Sequence, residues 1–265
     1  LTPWINKPVP FNIGQGAAAG GGEPTPDYED DFLTNPTDGD WTLTGSSVQW
    51  DAYGDKKVFI QPADSASNFY GLKLDLQDVL GGSNLDNSKF VLQFTWDPYS
   101  YTANTTGSHC DCGVWIESLD PASGNVDTNW GFKFGGGNTS APSLSSYLND
   151  YCISGIYENP WQAFRCPSQD VAGRAQWVSF GITPSTGTEI GIRLTRVSTT
   201  AFKGELYADA DFDSTPTSIS LTDEPLMTSI DDLRYLLIAG YRDLGFNGAN
   251  QNFFDNLKIY NGVNL

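Results

Sequence analysis

Lys89–Asp97 reads KFVLQFTWD, with Phe90, Leu92, Phe94 and Trp96 on alternate positions and Val91, Gln93 and Thr95 between them. A strand turns successive side chains to opposite faces, so an apolar set with a period of two marks a strand with one face against a core. YGLKLDLQD (70–78) repeats the pattern with Leu72, Leu74 and Leu76 against Lys73 and Asp75. EIGIRLTR (189–196) repeats it with Ile190, Ile192 and Leu194 against Arg193 and Thr195. Comparable segments are WTLTGSSVQW, KVFIQ, CGVWIES, NWGFKF, AQWVSFGI, FKGELYA, LRYLLIAGY and FFDNLKIY, each bounded by Gly, Asn, Asp, Pro or Ser. About a dozen strands with polar turns predict an all-β chain of two antiparallel sheets packed face to face. Helical periodicity is nearly absent, with short turns expected at LKLDLQDVL and SSYLNDYC.

The 265 residues suffice for one large sandwich. A net charge of −18, from 32 acidic residues against 14 Lys and Arg, repels phosphate backbones and anionic headgroups. Nucleic acid and membrane surfaces are therefore excluded as partners, and cations are favoured. No run of 18 apolar residues is long enough to span a bilayer. The chain opens at Leu1 without a basic and apolar leader, as expected of a secreted protein whose signal has been removed.

The four cysteines fit that compartment. Cys110 and Cys112 are too close to bridge each other comfortably, so each is expected to pair with one of Cys152 and Cys166. A four-thiolate zinc site is the rival, but 152 and 166 do not form a short knuckle. Asn104 in NTT and Asn138 in NTS are N-glycosylation acceptors in Ser/Thr/Gly-rich stretches. Between Gly135 and Pro167 the alternation lapses, which predicts a long inserted loop region over about 135–170, pinned by the bridges.

Ahead of the sandwich, residues 1–27 form an arm and a Gly/Ala-rich tether, with the domain proper at 28–265. Trp4, Ile5, Val9, Phe11 and Ile13 give the arm an apolar surface that a solvated leader lacks. Val9, Phe11 and Ile13 alternate as in an edge strand, although Pro8 and Pro10 remove ladder donors. Docked onto its own domain, such a strand closes the fold; docked head to tail onto another copy, it builds an open filament. The second arrangement is the expectation.

Two end segments carry a resemblance. YEDDFLTNPTDGDWTLTGSSVQWD (28–51) and LRYLLIAGYRDLGFNGANQNFFDNLKIYNGV (233–263) resemble the first and last strands of laminin G-like jelly rolls of the concanavalin A-like lectin and glucanase superfamily, including secreted archaeal, viral and environmental members. The resemblance implies a jelly-roll sandwich whose opening strand, with Asp30, Asp31 and Phe32, pairs with FDNLKIYNGV; GELYADADFDSTP matches a late strand and turn. Residues from about Tyr99 to Gln169 have no counterpart, and the architecture hosts lectins, hydrolases, adhesins and structural modules alike.

Catalytic signatures are sparse. The superfamily's retaining glucanases resemble one another in a Glu-x-Asp-x-Glu strand, absent here: Glu23, Glu29, Glu117, Glu158, Glu189, Glu205 and Glu224 stand singly. His109, the one histidine, sits beside the cysteine pair and reads as a loop residue, and FGGGNTS lacks the lysine of a phosphate loop. Asp209, Asp211 and Asp213 alternate as at the start of a calcium loop, but Ser214 and Ser220 stand where glycine and glutamate are needed, so a solvated turn is expected. Calcium held by other aspartates stays open, as the resemblance implies.

Trp41, Trp50, Trp96, Trp115, Trp130 and Trp177 lie in strand patterns and read as core. Tyr99, Tyr101, Tyr147, Tyr151, Tyr157 and Trp161 lie in expected loops and are the candidates for stacking on sugar rings. The leading expectation is a secreted, non-enzymatic structural or adhesive surface subunit, partnered by copies of itself through the arm. A carbohydrate-binding lectin-like module is the alternative, with a glycan hydrolase or lyase behind it.

Overall fold

The computed structural model describes residues 24–44, 48–61, 70–102, 109–118, 120, 130–139, 151–157, 175–182, 185–222, 228, 230–242, 249–263 and 265. Strands in these residues, numbered in chain order, form two antiparallel sheets that face each other as a jelly-roll sandwich. The first sheet runs β13 (Thr217–Leu221), β12 (Ala201–Tyr207), β11 (Ile190–Ser198), β6 (Phe90–Thr102), β15 (Ala249–Asn261), β4 (Val58–Ile60) and β3 (Val48–Trp50). β1 (Tyr28–Asp30) joins it as an eighth strand. The second sheet runs β10 (Ala175–Ser179), β9 (Tyr151–Tyr157), β8 (Trp130–Thr139), β7 (His109–Glu117), β14 (Tyr235–Arg242), β5 (Tyr70–Asp75) and β2 (Trp41–Thr44).

The period-two pattern of KFVLQFTWD becomes β6 at the centre of the first sheet. Its apolar set faces the second sheet and packs with Ile192 and Leu194 of β11, Val114 and Ile116 of β7, and Leu236 and Ile238 of β14. Aromatic rings fill the gap: Phe94 lies 5.0 Å from Phe254 and 5.6 Å from Phe134, centroid to centroid. Trp96 is the polar exception on this face, and its Nε1 donates to Asn252 Oδ1 at 2.8 Å, leaving its donor satisfied. At one edge Phe132 and Phe202 stack at 3.9 Å, and the buried guanidinium of Arg196 sits 5.0 Å from the Phe132 centroid. Arg196 donates to the carbonyls of Asn87 and Thr199, while burial lowers its pKa to about 10.

The two ends of the domain meet as the resemblance implies. Tyr28, Glu29 and Asp30 pair with Ile259, Lys258 and Leu257, so the opening strand lies on the closing one. Asp30 then accepts from Phe32 N, Tyr28 OH and, at 2.9 Å, Trp41 Nε1, and Phe32 enters the core with its carbonyl bonded to Trp50 Nε1. One helical turn follows LKLD as expected, Leu76–Val79, with Asp75 as its N-cap accepting from Gln77 N.

Three expectations change. The alternation that lapses after Gly135 does not end the sheet: β8 continues through the glycines to Thr139, and β9 pairs with it from Tyr151 to Tyr157. Glycine erases a side-chain pattern without removing ladder donors or acceptors; across from Gly135, Gly113 of β7 is itself held to glycine, because a Cβ there would meet the Phe134 carbonyl oxygen at 2.1 Å. Asn138 accordingly lies in a strand, paired with Cys110, rather than in a loop. The register also limits the expected bridges. Cys152 is level with Gly135, which is level with Gly113, so β8 separates Cys152 from Cys110 and Cys112. Two strand spacings are about 10 Å, beyond the roughly 7 Å that a disulfide spans between Cα atoms. Cys112 itself is buried in the core.

The arm residues Trp4, Ile5, Val9, Phe11 and Ile13, the tether, Cys166 and Asn104 lie outside the described residues. Among the described residues no helix is long and apolar enough to cross a membrane.

Candidate functional site

The outer face of β6, opposite the core, is polar and largely buried. Gln93 is 4% exposed and Thr95 1% exposed. Gln93 Oε1, Thr95 Oγ1 and Asp97 Oδ1 are buried without hydrogen-bond partners in the structure, three consecutive outward positions of one strand. Buried polar atoms are normally paired, so a line of orphaned oxygens is a property to be explained.

Charged side chains crowd one end of that line. Asp255 of β15 stands opposite Thr95, and Phe253 opposite Asp97. Lys57, just before β4, and Glu189, just before β11, come from the strands that flank β15 and β6. Lys57 Nζ reaches Glu189 Oε1 at 3.1 Å, so this pair bridges across the two strands that carry the aspartates. Burial raises the pKa of Asp97, an effect opposed by Lys57 and reinforced by Glu189 and Asp55. Burial likewise pushes Asp255 up to about 6, against its bond from Asn256 N and the pull of Lys57. Both shifts come first from burial, which disfavours the charged carboxylate.

Aromatic rings border the acids. β6 pairs Pro98 with Asn252 and Ser100 with Gln251, leaving Tyr99 as the extra residue of a bulge. Tyr99 meets Phe253 at 5.3 Å and Phe59 at 5.8 Å, ring centroid to ring centroid. Tyr53 comes from the turn between β3 and β4, which holds Asp51, Gly54 and Lys56 at positive φ. Asp51 closes that turn by accepting from Lys56 N and Gly54 N and donating its own N–H to the Lys57 carbonyl. The rings of Tyr53 and Tyr99 are 5.0 Å apart and tilted by 33°, supported on buried Phe59 and Phe253. They are 58% and 45% exposed, the largest exposed aromatic surface among the described residues. The neighbouring Tyr99 hydroxyl raises the Tyr53 phenol above its usual pKa.

On the far side, Arg193 NH1 donates to Tyr207 OH at 2.9 Å, and its guanidinium lies over the rings of Tyr207 and Phe212. Phe212 belongs to the DADFDS turn, which is closed by the Asp209 carboxylate: its two oxygens accept from Asp213 N and Ser214 N. The turn packs on Gly191, where a Cβ would meet Phe212 at 2.8 Å. Among the described residues no three His, Cys, Asp or Glu side chains lie close enough together to hold a metal ion.

No protein-family model matches the sequence, and no curated protein matches it. Solved structures do match. A legume lectin-like domain from Entamoeba histolytica superposes with a TM-score of 0.51 over 91% of this chain and 100% of its own, at 11% identity. The chain has the concanavalin A-like lectin and glucanase fold. An endo-1,3-beta-glucanase from Streptomyces sioyaensis matches with a TM-score of 0.49 over 91% of this chain and 98% of its own, at 11% identity. A family 7 alginate lyase, A1-II′, matches with a TM-score of 0.46 over 83% and 85%, at 10% identity.

Within this fold, the expected sugar-stacking residues divide. Tyr99 is at the outer face of the first sheet, in β6 rather than in a loop, and Tyr101 follows it in the same strand. Tyr151 and Tyr157 begin and end β9 of the other sheet, and Tyr147 and Trp161 lie outside the described residues. Trp41, Trp96 and Trp115 are buried as expected, and Trp50 packs partly buried against the core. The side chains of Trp130 and Trp177 are outside the described set. Tyr53, Asp97, Asp255 and Lys57 were not singled out from sequence. A local hint existed in Gln93 and Thr95, polar positions inside a strand too apolar to lie at an edge.

Proposed function

We propose that the protein is a non-enzymatic carbohydrate-binding module whose site is the Tyr53–Tyr99 platform and the adjoining polar row of β6. One observation carries this reading: two exposed rings on a base of buried aromatics stand beside the half-buried carboxylates of Asp97 and Asp255, over a buried row of oxygens that have no partner among the described residues. Flat rings take the apolar face of a pyranose, and carboxylate and hydroxyl oxygens accept from its hydroxyls. The arm-mediated filament depends on residues outside those described, and nothing among the described residues of the sandwich supports it; the likeness to a legume lectin-like domain favours the carbohydrate reading.

A glycan array followed by calorimetry tests it. Wild-type protein is expected to retain oligosaccharides, and Tyr53→Ala and Tyr99→Ala to weaken them about tenfold or more, about 1.4 kcal/mol. Retention unaffected by both substitutions removes the site. Hydrolysis is a second reading, favoured by the raised pKa of Asp255 beside Asp97, since a glycosidase acid must hold its proton near neutrality. Release of reducing ends that disappears in Asp255→Asn supports it.

A further inference from the structure

We infer that the site selects sugars bearing a free ammonium group, as in an unacetylated amino-hexose oligomer, over neutral or acidic ones; this rests on the carbohydrate-binding reading above. Lys57 is paired with Glu189 at 3.1 Å across β15 and β6, the adjacent strands whose outer face carries Asp255 and Asp97, so one ammonium is set against three carboxylates. The turn that carries Lys57 adds Asp55 and the segment after β1 adds Asp31, both of the same sign. The nearby cations are directed elsewhere. Arg193 is engaged with Tyr207, and it flanks Gln93, one row further along, together with Lys258.

The unpartnered atoms point the same way. An ammonium offers three donors and no acceptor, which suits the half-buried carboxylates of Asp97 and Asp255, with the unpartnered Asp97 Oδ1 and Thr95 Oγ1 buried between them. Among the described residues no three acids are grouped to hold a metal ion, and an organic cation needs an anchor for its ring. Tyr53 and Tyr99 supply that anchor, and their ring faces add attraction for a cation. N-acetylation removes the charge, and a uronate meets the carboxylates with like charge.

Calorimetry on the full chain at about pH 6.5 compares a glucosamine tetramer, an N-acetylglucosamine tetramer and a neutral β-glucan tetramer. The glucosamine tetramer is expected to bind at least tenfold tighter than the other two, with the difference shrinking in high salt. Asp97→Asn/Asp255→Asn should abolish the preference, bringing the glucosamine tetramer to the affinity that the same variant shows for the neutral tetramer, with thermal melts confirming that the variant is folded. Equal affinity for neutral and amino sugars overturns this inference and leaves the carbohydrate reading intact; failure of all three to bind overturns both. Tyr53→Ala/Tyr99→Ala retains every charge. Glucosamine binding that survives this change is nonspecific attraction to an acidic protein and also overturns the inference.

Discussion

The two faces of β6 are built from alternate residues of one strand and obey opposite rules. Inward, Phe90, Leu92, Phe94 and Trp96 are buried against rings and aliphatic chains, and the one donor among them is satisfied. Outward, Gln93 and Thr95 are also removed from water and Asp97 is half-buried, but a buried oxygen of each has no partner. Burial alone therefore does not identify a core. What separates the faces is whether burial is compensated: apolar contact on one side, uncompensated desolvation of about 1–3 kcal/mol per group on the other. A fold that retains such groups at the centre of its largest sheet gains stability elsewhere.

Substitutions on the two faces should separate cleanly. The largest effect is expected inside: Phe94→Ala removes a ring in contact with Phe134 and Phe254 and should cost about 3–5 kcal/mol in denaturant unfolding. A loss below about 1 kcal/mol would mean that the inner face is no better packed than the outer. Next comes Asp30, whose carboxylate joins the opening strand to Trp41 and Phe32. Asp30→Ala should cost about 1–3 kcal/mol by leaving those donors unmet.

A pH series probes the outer face. The folded pKa of Asp255 is about 6, above the ~3.9 of an unfolded aspartate, so between these values the folded chain binds more protons. Its contribution to stability is full below about pH 4 and is lost as pH rises through about 6, and Asp255→Asn should flatten that part of the urea-midpoint profile. Asp75 should behave oppositely. Its bonds from Arg234 hold its carboxyl below the usual range, so its contribution is present at neutrality and lost on acidification. The smallest effect is expected for Thr95→Val, which keeps the shape and deletes an unpartnered hydroxyl. Unfolding should change by less than about 1 kcal/mol, towards greater stability, and a large loss would show that Thr95 Oγ1 has a structural partner.

Sequence reading recovered whatever local periodicity encodes. KFVLQFTWD, YGLKLDLQD and EIGIRLTR each became a strand, and the resemblance of Tyr28–Asp51 and Leu233–Val263 placed β1 on β15. It lost β9 and the end of β8, because Gly135, Gly136 and Gly137 have no side chains to alternate while their backbone still pairs. The site was legible at one residue, Tyr99. Lys57, Asp97, Glu189 and Asp255 lie far apart in the chain, and only the β4, β15, β6 and β11 order brings them to one surface. No motif with fixed spacing encodes such a meeting. Tyr53 was hidden for a related reason: DAYGDKK reads as an ordinary polar turn until Phe59 and Phe253 are known to lie beneath it.

β15 touches β6 along its length on one side and both β1 and β4 on the other. Translation must therefore pass Asn261 before β6 has its second neighbour and the two parts of the larger sheet are joined. Until then β6 and β4 present open edges to any neighbouring chain, and a nascent molecule needs protection from a chaperone, or dilution, to avoid sticking. Synthesis rate and crowding at the ribosome, more than the equilibrium strength of the finished sandwich, should thus govern the yield of native protein.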